Sequence, residues 1–450
     1  MPSVNNTKQG IKVKTCNTPL VGEVVAPPDK SISHRAVLFN SVAIGTAKIT
    51  NLLEGEDVIS TITALRQCGV EINKQDDGSY IVKGVGLNGL QKPQREIYFG
   101  NSGTSTRLFM GLVASYNFDV RVSGDESLSK RPMLRVIEPL SQMGVRFFPK
   151  DAKNLPISMQ GSNNLMPIDY KLKVASAQVK SAILLAGLNT RGTTIVTEPE
   201  KTRDHTEIML KNMGASLKTY ENENKIEITG LNQIKAIDCI IPSDPSSAAF
   251  IIAAGVLMKG SNLLIKNLCI NPTRIGFIKV LQNMGAYVAI VNQRTQSAEM
   301  VGDVIVKYSP NLKPAFTTAK DVPAMVDEFL ILSVICAFAN GTSELNDLHE
   351  LTTKESNRFD AIVKNLSLCG VSVEANYEKC NLKINGMGDD FTFNSPKEPI
   401  ATRLDHRIAM SFLIAGLRSQ CGIEIDDVSP IATSFPNFIA ILTSLGVIFE

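Results

Sequence analysis

The residues most suited to chemistry in this 450-residue chain fall in short clusters. The first is Pro28-Asp29-Lys30-Ser31-Ile32-Ser33-His34-Arg35. It sits between an apolar strand-like run, Val21 to Ala26, and an apolar helical run, Ala36 to Val42. Two cations and two hydroxyls therefore crowd the loop and first turn of a predicted helix. Unpaired backbone N–H groups and the positive end of the helix dipole point to the same place, which suits a phosphate or a carboxylate. A serine cap flanked by two solvated charges accounts for the same letters. A second cluster, Asn101-Ser102-Gly103-Thr104-Ser105-Thr106-Arg107, also opens a helix. Gly103 there would let a ligand approach the backbone closely, although a turn with a cap reads the same way. The cluster lacks the Gly-Lys-Ser/Thr ending of a nucleotide-binding P-loop. Further cations stand at the openings of other predicted helices: Lys130, Arg131, Lys180, Arg203, Lys354, Arg358 and Arg407. Arginine suits a two-pronged grip on carboxylate or phosphate. Repetition of such residues at corresponding positions favours one anion-binding cleft over scattered surface charge.

Two carboxylates are placed for proton transfer among these cations. Asp327, in Asp327-Glu328, opens an apolar helix, and Glu355 lies in Lys354-Glu355-Ser356-Asn357-Arg358. They are the candidates for a general base and a general acid. Helix capping by Asp327 and a surface i,i+3 ion pair from Glu355 to Arg358 are the structural alternatives. The histidines, His34, His205, His349 and His406, have no i,i+4 partners, and no Cys/His cluster exists, so neither a metal nor a cofactor is expected.

The elements that must position these residues repeat. The phrase apolar-x-x-apolar-Gly-Val/Ala ends six amphipathic helical patterns, with its glycine at Gly69, Gly144, Gly214, Gly285, Gly370 and Gly446. Each glycine stands where a helix stops and an alternating strand begins, the place of a left-handed C-cap. The glycines lie 70 to 85 residues apart, so six units fill the chain. A polar cluster followed by an all-round apolar helix recurs in step: at Ser33-His34-Arg35, Ser105-Thr106-Arg107, Ala177-Gln178-Val179-Lys180, Pro245-Ser246-Ser247, Val326-Asp327-Glu328 and Asp405-His406-Arg407. Such helices should be buried. Each unit thus reads as βαβαββ with one buried and one surface helix, giving an α/β (α+β) fold. Six units are too many for one core. A three-plus-three division is drawn near Ser243-Asp244-Pro245. It makes residues 25–243 an inserted domain and residues 1–24 plus 244–450 a discontinuous one, with the site in a cleft between them.

Composition narrows the partners. A net charge of +2, no Trp and 6% aromatics oppose nucleic-acid binding. Eight cysteines without a C-x-x-C pair read as reduced thiols of a cytoplasmic protein. The polar start, Met1 to Gly10, has no signal-peptide pattern, and the longest apolar stretch, Phe329 to Ala339, is too short to span a bilayer. A monomer with no membrane partner is expected.

The chain resembles the 5-enolpyruvylshikimate-3-phosphate synthase family nearly end to end. The resemblance is carried by Pro28-Asp29-Lys30-Ser31-Ile32-Ser33-His34-Arg35, Gly100-Asn101-Ser102-Gly103-Thr104, Lys130-Arg131-Pro132-Met133, Ser176-Ala177-Gln178-Val179-Lys180-Ser181, Lys354-Glu355-Ser356 and Asp405-His406-Arg407-Ile408-Ala409-Met410. Ser176-Ala177-Gln178-x-Lys180, Arg203-x-His205-x-Glu207 and Asn271-x-Thr273-Arg274 look like marks of the second subgroup, many of whose members tolerate glyphosate. The resemblance implies two domains that close on their substrates. It also implies a reaction without cofactor, in which the 5-hydroxyl of shikimate-3-phosphate attacks C2 of phosphoenolpyruvate and the tetrahedral adduct then loses phosphate.

Carried over by position, Lys30, Ser31, Arg35, Ser176, Ala177, Gln178, Arg203, Asp327 and Lys354 should hold shikimate-3-phosphate. Lys30, Gly103, Arg131, Gln178, Arg358 and Arg407 should hold phosphoenolpyruvate, with glyphosate a possible inhibitor. Asp327, Glu355 and Lys30 should be catalytic. Two positions depart from the family. Ser102 stands where many members have Ala, and Thr433 stands where one subgroup has a Lys near phosphoenolpyruvate. The related UDP-N-acetylglucosamine enolpyruvyl transferases use a reactive loop cysteine, and Asp119 to Met133 contains none. A fold-related RNA-terminal phosphate cyclase is opposed by the charge and aromatic content. A non-enzymatic anion-binding protein would leave Asp327 and Glu355 without a purpose.

Overall fold

The computed structural model describes residues 9–450. The chain separates into two compact units. One holds Pro28–Pro242 together with Thr295–Met300. The other holds the chain up to Pro27, Ser243–Arg294 and Val301–Glu450.

Within Pro28–Pro242 the same motif is built three times. Each copy is a four-stranded sheet with one parallel and two antiparallel pairings. The central strands are Ile44–Thr50 with Tyr80–Val85, Asp119–Ser123 with Ile157–Gln160, and Thr193–Thr197 with Lys225–Thr229. The other unit repeats the motif on Asn262–Cys269 with Glu299–Lys307, and on Asn340–Leu345 with Asn381–Met387. Its third copy is shorter: Ile423–Ile425 pairs with Ile11–Val13, and single bridges add Ile400 and Phe449 at the two edges.

Reading each repeat as an unbroken βαβαββ stretch needs correction at three strands. Val21–Val24 precedes the first buried helix in sequence, yet it runs parallel to Asn262–Cys269. The corresponding place beside Ile44–Thr50 is taken by Cys239–Ile240, with Cys239 opposite Ile49 and Ile240 opposite Thr50. Ile11–Val13 joins the last repeat. Period-two patterning finds a strand, but a parallel partner is set by the crossover path, which local pattern does not encode.

Each unit has three helices buried on all sides. They are Lys30–Ser41, Gly103–Val113 and Ala177–Leu188 in one, and Pro245–Leu257, Phe329–Cys336 and His406–Gly416 in the other. Five have a side-chain cap, from Asp29, Ser102, Ser176, Asp244 and Asp405, each accepting a backbone N–H of the first turn. Such caps stabilise by about 1 kcal/mol each, which explains why polar clusters open otherwise apolar helices. The second and third buried helices cross closely at Gly111, where a Cβ would lie 2.3 Å from the Ala182 carbonyl oxygen. The six repeat glycines follow the surface helices with φ between +86° and +113°, the left-handed conformation expected of them. All eight cysteines are free thiols and only Cys421 is exposed. Among the described residues no helix is long and apolar enough to cross a membrane.

Candidate active site

In the Pro28–Pro242 unit, Asp29 caps the first buried helix by accepting from the Ile32 N–H at 2.8 Å. Lys30 and Ser31 therefore stand on its first turn. Lys30 Nζ donates to Asp57 Oδ2 at 3.0 Å, from the start of the neighbouring Glu56–Gln67 helix. Arg35 is almost wholly buried. Its guanidinium donates to the Ser31 carbonyl at 3.0 Å, Thr206 Oγ1 at 2.7 Å and Ser181 Oγ at 2.9 Å. Those bonds brace the turn that presents Ser31. His34 lies beside it with Nδ1 2.9 Å from Thr61 Oγ1. Burial, reinforced by the Lys30 and Arg35 charges, holds its pKa well below the usual value, so the imidazole is neutral.

The second and third buried helices bring a further group together. Gln178, on the first turn of Ala177–Leu188, donates from Nε2 to Thr104 Oγ1 at 2.8 Å and accepts at Oε1 from Arg107 Nη1 at 2.6 Å. Arg107 also reaches the Pro132 carbonyl at 3.1 Å. Arg131 donates to the Asn101 side-chain oxygen. A Cβ on Gly103 would lie 2.6 Å from Arg107 Nη1 and 3.3 Å from Arg131 Nη1, so this backbone is packed against two guanidinium groups. Ser102, the departure from the common Ala, caps the helix by accepting from Ser105 N–H at 3.2 Å. Of the neighbouring Lys130 and Arg131, only Arg131 turns inward; Lys130 is exposed and paired with Glu126.

Ser176 caps the third buried helix through the Val179 N–H, and Ala177 follows at its first position. Arg203 precedes the His205–Asn212 helix and is partly exposed. Lys180 corrects its grouping with the cleft cations. It is fully buried, with Nζ 2.9 Å from Glu198 Oε2 and 2.7 Å from Glu207 Oε1. Burial alone would lower its pKa, but the two glutamates outweigh that and raise it. His205 makes a second sealed pair, with Nδ1 2.7 Å from Glu299 Oε1.

In the other unit one guanidinium organises the acids. Arg358, 1% exposed, places Nε 2.9 Å from Asp405 Oδ2, Nη1 3.2 Å from Asp327 Oδ1 and Nη2 2.5 Å from Glu355 Oε2. The Glu355–Arg358 pair is thus an i,i+3 contact on a buried arginine and not the solvated pair that the spacing alone allows. Arg407 donates to the Asp327 carbonyl at 3.1 Å and has Nε 3.7 Å from Asp327 Oδ1. Glu328, at the cap position of Phe329–Cys336, makes no side-chain cap bond. Lys354 is partly buried, 3.9 Å from Glu350. Burial first, and then the Arg358 charge, lower its pKa in spite of Asp327 and Glu350. Thr433 donates its hydroxyl to the Pro430 carbonyl at 2.7 Å.

Comparisons with known proteins bear on the same residues. A model of the family EPSP synthase (3-phosphoshikimate 1-carboxyvinyltransferase) matches residues 14–442. The chain belongs to the EPSP synthase family. It is 47% identical to the 3-phosphoshikimate 1-carboxyvinyltransferase of Zymomonas mobilis, over 96% of this chain and 95% of that one. It is 46% identical to that of Novosphingobium aromaticivorans, over 96% and 98%. Among solved structures it resembles EPSP synthase from Acinetobacter baumannii, with a TM-score of 0.86 and 39% identity over 98% and 99% of the two chains. The enolpyruvyl transferase NikO from Streptomyces tendae, at 18% identity and a TM-score of 0.74, shares the fold.

Several partners of the candidate residues in this EPSP synthase family chain carry no signal in the sequence. Asp57 looks like a first-turn helix acid, and nothing in its neighbours signals Lys30. Asp405 reads as a cap; it is one, through the Arg407 N–H at 2.9 Å, but it also anchors Arg358. Arg107 carried the repeat signal, without any hint that it would meet Gln178.

Proposed function

We propose that the chain transfers the enolpyruvyl group of phosphoenolpyruvate to the 5-hydroxyl of shikimate-3-phosphate and releases phosphate. This is a transferase step of aromatic amino acid biosynthesis. The family relationship over nearly the whole length supports the reaction. The observation that carries the mechanism is the shared hold of Arg358 on Asp327 and Glu355.

Asp327 acts as general base and takes the proton of the attacking hydroxyl. Glu355 gives a proton to the methylene carbon of phosphoenolpyruvate, which makes C2 electrophilic. The oxygen–C2 bond then forms. Return of that methyl proton to Glu355 and departure of phosphate restore the double bond. Lys30 neutralises the leaving phosphate. Arg131, Arg358 and Arg407 supply charge-assisted donors for the phosphate and carboxylate of phosphoenolpyruvate, with Gly103 and Gln178 completing that subsite. Ser31, Ser176, Ala177, Gln178, Arg203 and Lys354 hold shikimate-3-phosphate, with Arg35 fixing Ser31.

Membership of the second subgroup is part of this proposal. The contact between Lys180 and Glu207 supports it, because the lysine of one signature is the partner of the glutamate of another. Arg274 of the third signature similarly meets Asp244 at 2.8 Å. Glyphosate is the expected competitor of phosphoenolpyruvate, with the reduced sensitivity of that subgroup. The protein works as a cytoplasmic monomer. Phosphate release from phosphoenolpyruvate should require shikimate-3-phosphate. Release with UDP-N-acetylglucosamine instead would overturn the assignment.

A further inference from the structure

Lys180 has no part in the proposed reaction, yet its partners bracket Arg203 in sequence. Residues 198–204 are neither strand nor helix and link the Thr193–Thr197 strand to the His205–Asn212 helix. Arg203 stands in this segment, and residues on both sides of it have buried partners. Before it, Thr202 is buried and donates its hydroxyl to Glu198 Oε1. After it, three successive residues of the first helical turn are held. His205 Nδ1 lies 2.7 Å from Glu299 Oε1. Thr206 Oγ1 accepts from Arg35 Nε at 2.7 Å and lies 2.6 Å from Ser181 Oγ. Glu207 Oε1 lies 2.7 Å from Lys180 Nζ, and the same ammonium meets Glu198 Oε2 at 2.9 Å. One wholly buried lysine thus closes a ring that runs from Thr202 to Glu207.

These bonds lead to two helices. Lys180 and Ser181 lie one turn after Ser176 and Ala177 on the third buried helix. Arg35, on the first, also donates to the carbonyl of Ser31. The segment with Arg203 is therefore tied to the helices that carry the other candidate shikimate-3-phosphate residues of this unit. Stability alone gives no reason for three charges in this place, because an apolar cluster of equal volume often serves stability as well or better. Charged groups that bond in set directions do hold one arrangement.

We propose that Lys180, Glu198 and Thr202 are positioning residues for Arg203. They anchor residues 198–204 and hold Arg203 at a set distance from Ser31, Ser176 and Gln178. They thereby set the affinity for shikimate-3-phosphate without touching it. The effect on affinity rests on the assignment of Arg203 to that substrate, whereas the anchoring does not.

Thr202→Val keeps the side-chain shape and removes the hydroxyl, and Thr202→Ser returns it. Thr202→Val should raise the KM for shikimate-3-phosphate about tenfold while kcat and the KM for phosphoenolpyruvate stay within about twofold. Thr202→Ser should recover the wild-type value. Amide hydrogen exchange of residues 198–204 in the full chain without substrate should quicken in Thr202→Val, while Thr193–Thr197 and Lys225–Thr229 keep their protection. Lys180→Met should do the same. Thr202→Val removes no charge, so it decides the matter even if Lys180→Met does not fold. Unchanged exchange in Thr202→Val would overturn the anchoring. A lowered melting temperature with an unchanged KM, where Arg203→Ala raises that KM, would overturn the effect on affinity and leave a merely structural role. In the Arg203→Ala background Thr202→Val should add nothing further, and effects that multiply would show that Thr202 does not act through Arg203. An unchanged KM in Arg203→Ala itself would overturn the role of Arg203 in the reaction, and exchange then decides the anchoring by itself.

Discussion

Arg358 donates to Asp327 from Nη1 at 3.2 Å while its Nε stays 2.9 Å from Asp405 Oδ2. The base candidate is therefore oriented by an arginine that a helix cap fixes in turn. Asp405→Asn tests that chain of support. Asn is also a good cap, so the helix should form, but a charged partner of a buried arginine is lost. Stability should fall by about 2 kcal/mol, and kcat should fall with it. Asp405→Leu, which removes cap and partner together, should cost about 3–5 kcal/mol. Chemical denaturation and steady-state kinetics measure both.

Gly103→Ala places a methyl carbon 2.6 Å from Arg107 Nη1 and 3.3 Å from Arg131 Nη1. The near atoms are the ends of long side chains, so the protein should fold with the guanidinium groups displaced. The inhibition constant for glyphosate should rise more than the KM for phosphoenolpyruvate, because the added methyl projects into the small-ligand subsite. Equal changes in both constants would remove that steric argument.

Lys354 gives a pH dependence with a definite sign. Its folded pKa lies below 10.5, with burial the largest cause. Between that lowered value and 10.5 the unfolded chain binds the proton and the folded chain does not, so this group's contribution to stability rises with pH. In the proposed role of Lys354 the cation holds shikimate-3-phosphate, so binding should weaken over the same window. The KM for shikimate-3-phosphate should climb at alkaline pH, and Lys354→Arg should move that limb upward. An identical alkaline profile in the variant would exclude Lys354 as its cause.

The repeat, the buried helices and the capping glycines were legible because each has a local signature: a polar first turn, an apolar body, a residue that tolerates positive φ. The polar first turns at Lys30–Ser41 and Gly103–Val113 were legible for the same reason. Partners distant in sequence were not. Asp57 reaches Lys30 across two helices, and Val21–Val24 joins a sheet whose other strands begin at Asn262. Lys180 shows the limit most clearly. Its spacing matched the cleft cations, but its neighbours turn it into the interior toward Glu198 and Glu207, and no period in the sequence encodes that.

Glu355→Gln should stop proton delivery to the methylene carbon and its reversal. In deuterated solvent the wild-type protein, incubated with shikimate-3-phosphate and phosphoenolpyruvate, should place deuterium on the methylene carbon of recovered phosphoenolpyruvate. The variant should not, and mass spectrometry reads the difference. Wild-type exchange in Glu355→Gln would assign the acid elsewhere.

The most direct test of the account is turnover by Asp327→Asn, measured as phosphate release with saturating shikimate-3-phosphate and phosphoenolpyruvate. Asn keeps the size and a carbonyl that Arg358 and Arg407 can hold, but it cannot accept the hydroxyl proton as a carboxylate does. The account predicts a loss of kcat on the order of 10²–10⁴, with shikimate-3-phosphate binding kept within about tenfold. Turnover near the wild-type rate would contradict it and leave Asp327 a structural partner of the two arginines.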